Sequence, residues 1–391
     1  MRSVPTTSID LTSPEVAADP YPHFARERAA HEVAWHEETQ RYLTFSHAAV
    51  SAVQRDRRLG RLWTDKEPRE TMEPFNLLHR NQMMENEPPV HTRLRRPVAR
   101  AFARGHVERL RPRVRELAGE LLDETAGSGF DVIGDFAEPL PVLVIAELLG
   151  VPKVHAPDLR DWSQAIVRMY EVERDQATVD AAVRASTDFA TLVRELVAER
   201  RKDPQDDLVS DLVATSSTDG DSLTEDEIVA SVVLLLNAGH EASVNVFGNG
   251  FVAMLQRGLR PGPDPALTVE EMLRFDSALQ LFERTATEDV EIGGVVVEEG
   301  QKICALLGAA NRDPAVFADP DTFLVDRDPN PHLAFGVGVH FCLGAPLARM
   351  ELAESLGTLF TRYPVLRLDG DPVSRGTFVL RGYESVPVVG A

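Results

Sequence analysis

The sequence feature that most constrains this chain is a single cysteine in a glycine-punctuated loop directly before a helix. The loop reads Phe-Gly-Val-Gly-Val-His-Phe-Cys-Leu-Gly over residues 335–344. Pro346 suits the first turn of the helix that follows, where a missing N–H costs nothing. Free amides at a helix N-terminus favour the thiolate form of Cys342. The glycines let the backbone bend tightly and approach a flat ligand closely.

A thiolate presented singly, with no second cysteine or histidine at zinc spacing, suits one axial bond to a haem iron. A lone Cys-x-Gly is more often a buried, inert cysteine before a helix. Here, however, six positions occur together at fixed spacing: Phe335, Gly336, Gly338, His340, Cys342 and Gly344. This set resembles the haem-thiolate loop of the cytochrome P450 family. The likeness extends from about Asp19 to the C-terminus and is to the soluble bacterial, actinomycete-type members.

Composition indicates one large domain over residues 1–391. The chain is 43% hydrophobic, and no Ser/Gly/Pro-rich linker divides it. Its net charge of −21 disfavours nucleic acid and anionic membranes as partners. The N-terminus has no apolar signal core, and we expect no membrane span, because no apolar run reaches about 18–20 residues. Cys304 and Cys342 do not suggest a disulfide framework. We therefore expect a cytoplasmic protein.

Apolar residues recur at spacings of three and four over most of the chain, which predicts a mostly α fold with small β-sheets (α+β). The predicted helices cover residues 24–30, 46–55, 91–102, 107–125, 139–149, 156–172, 177–201, 208–214 and 224–256. Short strands are expected over residues 33–45 and 278–284, and Gly293-Gly294 predicts a hairpin. Residues 60–89 lack a clear period and are predicted to be a long loop. In the resembled family, this loop roofs the substrate pocket.

The longest predicted helix opens with a capping box at Thr224–Glu227 and runs to about Gln256. Its apolar residues cover most of the circumference, so it should lie in the middle of the protein. The resemblance implies that it crosses the distal face of the haem, with Glu241, Ala242 and Ser243 as its catalytic segment. A helix kink with a salt-bridged glutamate is the alternative for this segment alone.

The resemblance implies haem b as the cofactor and Cys342 as the ligand of its iron. Two propionate contacts are expected from His91 and Arg95, which share a helix face at i and i+4. Arg284 and His340 match further propionate ligands. The residues expected to bind the cofactor are His91, Arg95, Ala238, Arg284, Phe335, His340, Cys342 and Gly344.

The resemblance also implies a structural network and a substrate pocket. Glu271 and Arg274, with Arg327 as third member, match a family network that has no part in the chemistry. The residues expected to line the pocket are Met83, Met84, Leu235, Ala238, Leu279, Gln280, Leu281, Phe282, Phe378 and Val379.

These features predict a haem-thiolate monooxygenase that inserts one oxygen atom of O2 into a mid-sized natural product by hydroxylation or epoxidation. A polyketide or macrolide of secondary metabolism is the expected substrate. No nucleotide-binding fingerprint is present, so electrons are expected from a ferredoxin and its NAD(P)H-dependent reductase. An acidic partner would dock on basic residues near Arg93, Arg96, Arg100 and Arg104. We expect a monomer.

Two alternatives remain open at this point. One is a haem-thiolate isomerase, dehydratase or peroxygenase that needs no ferredoxin. The other is a non-enzymatic haem sensor, which would need no roof loop.

The distal segment departs from the family pattern, which usually has an acid followed by a threonine. Here Glu241 is followed by Ala242, whose side chain has no donor or acceptor. Ser243 points about 100° away from Ala242 on the helix and cannot simply replace a threonine. Protons must then reach the oxygen through ordered water or through a hydroxyl of the substrate. We predict the second route, with the substrate hydroxyl completing a relay from Glu241.

Overall fold

The computed structural model describes residues 4–125, 129–215 and 222–390. Within these ranges the α-helices are α1 Pro14–Ala18, α2 Tyr21–Ala30, α3 His47–Arg55, α4 Arg69–Arg80, α5 Val90–Ala99, α6 Arg104–Glu124, α7 Pro139–Leu149, α8 Ala156–Val167, α9 Gln176–Lys202, α10 Leu208–Thr215, α11 Glu225–Gln256, α12 Pro265–Phe275, α13 Leu307–Ala310 and α14 Ala345–Arg362. The strands are β1 Thr6–Thr7, β2 Val33–His36, β3 Arg41–Thr44, β4 Leu59–Gly60, β5 Gly129–Asp131, β6 Leu281–Ala286, β7 Val290–Ile292, β8 Val295–Val297, β9 Lys302–Leu306, β10 Leu366–Leu368, β11 Val373–Ser374, β12 Tyr383–Ser385 and β13 Pro387–Gly390. The predicted fold class, mostly α with small β-sheets, is confirmed.

Helix α11 is the centre of the fold. Its capping box is present as predicted: the Thr224 hydroxyl accepts from the Glu227 amide, and the Glu227 carboxylate accepts from the Thr224 amide. Apolar residues on nearly all sides of α11 pack against α4, α7, α8, α9, α12 and α14. Among the described residues, α11 is long and apolar enough to cross a membrane by composition, but most of it is buried inside the fold. The helix is therefore a core element.

The largest sheet has six strands in the order β1-β2-β3-β9-β6-β4. Strand β3 pairs in parallel with β9, and β9 pairs antiparallel with β6, with Arg284 opposite Ile303. The predicted hairpin at Gly293-Gly294 joins β7 to β8, and both glycines have positive φ, 57° and 79°. The sheet packs beside the helical core and fixes the position of β6.

The stretch from residue 60 to residue 89 is not the long loop that the sequence suggested. It contains α4 and a short 3-10 turn, Met83–Glu85. One face of α4 is buried through Met72, Phe75, Leu78 and His79, which follow helical spacing. Pro74 lies inside this helix and, together with the polar residues around it, obscured the period.

Candidate functional site

The cysteine loop has the tight geometry that its glycines predict. The Cys342 amide donates to the Phe335 carbonyl at 2.9 Å, and α14 begins three residues after the cysteine. Gly336 and Gly338 have positive φ, 68° and 79°. A Cβ on Gly338 would lie 2.4 Å from the backbone oxygen of Gln54, so no side chain fits there.

Two opposing effects act on the Cys342 thiol. The amides of Gly344 and Ala345 donate hydrogen bonds that lower its pKa, as expected for a cysteine before a helix. Burial acts more strongly, and the pKa of Cys342 is raised overall. The helix amides therefore do not by themselves make this cysteine a thiolate. A bound metal ion displaces the proton of its thiol ligand and would complete that change.

Helix α11 leaves one stripe of its surface open. Ala238 is exposed and Ala242 is partly exposed, in the middle of a helix whose other residues are mostly buried. The two alanines are four residues apart and so lie on one face. Gly239 is not part of this face, because a Cβ there would meet Ile145 of α7 at 3.5 Å.

Ser243 lies next to the open stripe but is close to Glu351 on α14, the helix that follows Cys342, and its hydroxyl lowers the pKa of that carboxyl. Glu351 is 4% exposed, and burial raises the pKa of its carboxyl to about 8. This contact holds α14 against α11 one residue beyond Ala242.

Glu241 is held by an arginine. Its Oε2 accepts from Nη1 of Arg375 at 2.8 Å, and Nη2 of Arg375 lies 3.6 Å from Oε1 of Glu138. The other oxygen of Glu241 has no hydrogen-bond partner and lies 3.6 Å from Nδ1 of His240. Burial is the main cause of the raised pKa of Glu241. The segment contains an ion-paired glutamate, as the alternative reading expected, but α11 is continuous here.

A cluster of cations and histidines lies where propionate ligands were predicted. His91 is 2% exposed, and neither of its ring nitrogens has a hydrogen-bond partner. The His340 ring lies 4.6 Å from it, centroid to centroid. Arg284 is buried, and burial lowers the pKa of its guanidinium to about 9. A buried charge of this kind calls for an anionic partner.

Arg95, the fourth predicted propionate ligand, lies at the cysteine loop. Its guanidinium donates to the Phe341 carbonyl at 2.7 Å and to the Val339 carbonyl at 3.4 Å. Phe335 lies under Arg349, whose guanidinium carbon is 4.5 Å from the ring centroid. Both residues therefore brace the loop that presents Cys342.

These residues fit a flat cofactor that carries two carboxylates, which is the chemistry of haem. Burial lowers the pKa of His91 to about 4, so its ring is neutral and one of its two unpartnered nitrogens carries a proton that it can donate to a carboxylate. Arg284 and Arg95 supply positive charge. The alanines of the open stripe leave room beside α11 for a planar ring. The fit rests on side chains from α5, β6, α11 and the cysteine loop, which are far apart in sequence.

Two carboxylates of this cluster could not be recognised in the sequence. Glu85 accepts from Arg61 at 2.5 Å, and Glu87 lies 2.8 Å from Nε2 of His340. They and Arg61 lie in the stretch that reads as a loop. The sequence does indicate that Glu351 is unusual, because it is a charged residue between Met350 and Leu352 in a buried part of α14. No feature of the sequence indicates that Arg375 belongs to the site.

The structure brings the predicted structural network together. Arg274 donates to both oxygens of Glu271 at 2.7 Å, and Arg327 donates to the same carboxylate at 3.0 Å. All three residues are at most 8% exposed. The two arginines also donate to backbone carbonyls, including those of Asn311 and Ala318, and Glu271 also accepts from the Leu324 amide and the Asn330 side chain.

The predicted pocket residues are only partly placed together. Leu279, Leu281, Phe282 and Met84 are partly exposed, whereas Met83 and Leu235 are buried in the main core. The Phe282 ring lies against Arg61, 5.0 Å from its guanidinium carbon. The extended backbone that leads into β6 points successive side chains to opposite sides, so Gln280 points away from the side shared by Leu279 and Leu281.

One pocket assignment needs correction. Gln280 is fully buried and donates to the Ser277 carbonyl and the Tyr21 hydroxyl. Phe378 and Val379 are buried in a cluster with Phe24, and Leu279 and Leu281 of the predicted pocket pack against the same cluster. The partly exposed residue of this C-terminal turn is Leu380.

The basic run near α5 and α6 is partly neutralised. Arg93 pairs with Glu227, Arg111 and Arg115 share Glu354, and Arg113 pairs with Glu147. Arg100 and Arg104 are exposed.

Beside Arg95, Val339 and Phe341 of the cysteine loop are 37% and 41% exposed. Apolar residues near arginines form a suitable docking surface for an acidic protein.

Known proteins of one family are similar to this chain in sequence and in fold. A family model described as cytochrome P450 matches residues 266–380. The chain is 40% identical to 6-deoxyerythronolide B hydroxylase of Saccharopolyspora erythraea, over 78% of this chain and 76% of that protein. It is 36% identical to cytochrome P450 monooxygenase PikC of Streptomyces venezuelae, over 99% and 94%. A crystal structure of P450BioI with a fatty-acyl-ligated acyl carrier protein superposes with a TM-score of 0.91 at 32% identity, covering 96% of this chain and 100% of that one.

Proposed function

We propose, from the premise that this chain belongs to the cytochrome P450 family and is an oxidoreductase of that family, that it uses haem b to insert one oxygen atom of O2 into a hydroxyl-bearing natural product. The observation that carries the proposal is the Cys342 loop with α14 packed against α11 beside an open stripe of alanines. The name of one relative, 6-deoxyerythronolide B hydroxylase, supports the polyketide or macrolide class.

Each residue of the site has a role in this proposal. When bound, haem supplies the dioxygen chemistry, and a thiolate ligand favours cleavage of the O–O bond. Cys342 would ligate the iron, with Arg95 bracing its loop through the Val339 and Phe341 carbonyls. His91 and Arg284 would bind the carboxylates of the cofactor.

Two buried carboxyl groups on either side of Ala242 can hold protons. Glu351 is protonated at neutral pH, because the pKa of its carboxyl is about 8, and it is joined to Ser243. Glu241 is joined to Arg375 and through it to Glu138, which is 14% exposed and so reaches the solvent side. Ala242 supplies no hydroxyl of its own, and we propose that a substrate hydroxyl fills this gap in the relay from Glu241.

Electrons would come from outside the chain. We propose a ferredoxin with an NAD(P)H-dependent reductase as their source and the surface around Phe341, Val339 and Arg95 as the docking site. The exposed Arg100 and Arg104 would steer the acidic partner. We further propose that the protein works in the cytoplasm as a monomer.

The test is product formed per NADH consumed, with surrogate ferredoxin and reductase. A macrolactone would be compared with its analogue that lacks the hydroxyl nearest the oxidised carbon. We expect the analogue to uncouple the wild-type enzyme and Ala242→Thr to restore part of its turnover, because threonine returns a hydroxyl to the relay. Equal coupling of both compounds in the wild type would contradict the relay, and absence of any oxygenated product would contradict the function.

A further inference from the structure

A small polar cavity lies between α4, α8 and α11. Its polar lining consists of His79, Gln82, Tyr170 and Asn237. Its free volume is ≈ 10 Å³ for a water-sized sphere, about the room for a single hydroxyl group. None of these four residues was expected from the sequence to meet a ligand.

The hydrogen bonds around this cavity determine whether the Tyr170 hydroxyl donates to a ligand or accepts from it. Nδ1 of His79 lies 2.8 Å from the Phe75 carbonyl, which can only accept, so Nδ1 carries the proton. Burial lowers the pKa of His79 to about 4, so its Nε2 is bare at neutral pH. The Tyr170 hydroxyl, 3.1 Å from Nε2, must therefore donate to it. The Tyr170 oxygen is then left as an acceptor.

Two further acceptors are buried without partners. Oε1 of Gln82 and Oδ1 of Asn237 have no hydrogen-bond partner, and the two residues are 3% and 7% exposed. Neither oxygen faces the cavity as the amides stand, and rotation of either amide would turn its oxygen toward the cavity, where a ligand donor would satisfy it. Glu85, the carboxylate that acts on both His79 and Tyr170, is already paired with Arg61. The cavity therefore matches a neutral donor better than a cation.

We propose that this cavity is a substrate subsite that binds a neutral alcohol group remote from the oxidised carbon. The inference rests on the proposed function and adds a specificity element to the same pocket. An alcohol both donates and accepts, so it also pairs with either end of an amide that can rotate. Leu234, which lines the cavity, lies one turn before the exposed Ala238, so the subsite adjoins the open stripe of α11.

The position of the subsite also sets the distance between the alcohol group of the substrate and the carbon that is oxidised. Helix α11 rises ~1.5 Å per residue, so a group beside Leu234 lies roughly 12 Å along the helix from Ala242. A substrate anchored here would be oxidised at a carbon about that far from its alcohol. This geometry selects a mid-sized, hydroxyl-bearing molecule.

Calorimetric titration of the haem-loaded protein with 1-decanol, decyl methyl ether and decylammonium tests the subsite without requiring turnover. The alcohol can donate and accept, the ether can only accept, and the ammonium is charged. We expect the wild type to bind the alcohol about threefold to tenfold more tightly than the ether, the range for one net hydrogen bond. Asn237→Leu and Gln82→Met should bring this ratio close to one.

Asn245→Leu is the matched control, because Asn245 lies on the same helix, is 1% exposed and also has an unpartnered amide, but does not line the cavity. It should keep the wild-type ratio, and thermal unfolding would verify that all variants are folded. Equal binding of alcohol and ether by the wild type, or tighter binding of the ammonium, would overturn the subsite. If the protein prefers the alcohol but forms no oxygenated product, the subsite is supported and the proposed function is contradicted. If it forms an oxygenated product without preferring the alcohol, the proposed function is supported and the subsite is contradicted.

Discussion

Burial is the main influence on the protonation of ionisable side chains around α11. It raises the pKa of Glu351 to about 8 and lowers that of His240 to about 3. It also raises the pKa values of Glu241 and Cys342 against hydrogen bonds that lower them. Burial therefore shifts each of these groups toward its neutral form, and at neutral pH Glu351 and His240 are neutral. A buried carboxyl that keeps its proton at neutral pH is suited to supplying a proton to a reacting group nearby.

Glu351 gives a pH prediction that can be measured on stability. Its pKa of about 8 in the fold exceeds the ordinary value of 4.5, so between these values the unfolded chain is ionised while the folded chain holds the proton. This contribution to stability is present below pH 4.5 and is lost as the pH rises through about 8. The loss amounts to up to ~1.4 kcal/mol per pH unit.

Denaturant unfolding over this pH range should show the slope in the wild type and its loss in Glu351→Gln. Glu291→Gln on the exposed face of β7 is the control and should keep the slope. If the stability of Glu351→Gln falls with pH as steeply as that of the wild type, this carboxyl is not the group responsible for the slope.

At the scale of elements, the site depends on how the cysteine loop is seated against α3. The Val337 amide donates to the Gln54 side chain at 2.9 Å, and Gly338 lies against the Gln54 backbone. These contacts fix the loop from the α3 side, while Arg95 of α5 fixes its carbonyls. The cysteine is therefore positioned by two helices before any cofactor binds.

Gly338→Ala should destabilise the protein by ~2 kcal/mol or more, because a Cβ at φ +79° is strained and would meet the Gln54 oxygen at 2.4 Å. Gly357→Ala is the control in the interior of α14, where a Cβ meets nothing within 4 Å. That substitution should stabilise the helix by up to ~1 kcal/mol. Unfolding midpoints of the haem-free variants measure both effects; similar midpoints would refute this account of the loop.

The sequence allowed good predictions where a signal was local. The capping box of α11, the Gly293-Gly294 hairpin and the glycine turns of the cysteine loop depend on neighbouring residues, and the structure contains them. The helix α4 was missed, because Pro74 and polar residues interrupt its pattern.

Contacts between distant segments could not be predicted in the same way. Arg375 reaches Glu241 across 134 positions, and nothing near Arg375 in the sequence indicates that contact. Gln280 was assigned to the pocket, but the alternation of its strand directs it toward Tyr21 instead. The side of a strand and the partner of a long side chain are set by tertiary packing.

At the scale of the molecule, charge is unevenly distributed. The chain has a net charge of −21, yet the exposed Arg100 and Arg104 follow closely on α5, whose Arg95 donates to the Phe341 carbonyl of the cysteine loop. A basic surface on an acidic protein orients an acidic partner before contact.

If this surface docks the electron donor, reduction by ferredoxin should slow as salt rises, because exposed charges are screened over about 10 Å at 0.1 M. Arg100→Glu with Arg104→Glu should slow reduction further and leave substrate affinity unchanged. Arg26→Glu, an exposed position on α2, serves as the control. If the stopped-flow reduction rate changes neither with salt nor with the paired substitutions, this surface is excluded as the docking site.

The central claim is that Cys342 ligates haem iron, and the carbon monoxide difference spectrum of the reduced protein tests it most directly. Cys304 provides the matched control, because it is 1% exposed within β9 and burial raises its pKa to about 12, which leaves it an inert thiol. The wild type and Cys304→Ala should show the band of a thiolate-ligated haem, and Cys342→Ala should lose it. A Cys342→Ala protein that binds haem and keeps the thiolate band would contradict the assignment.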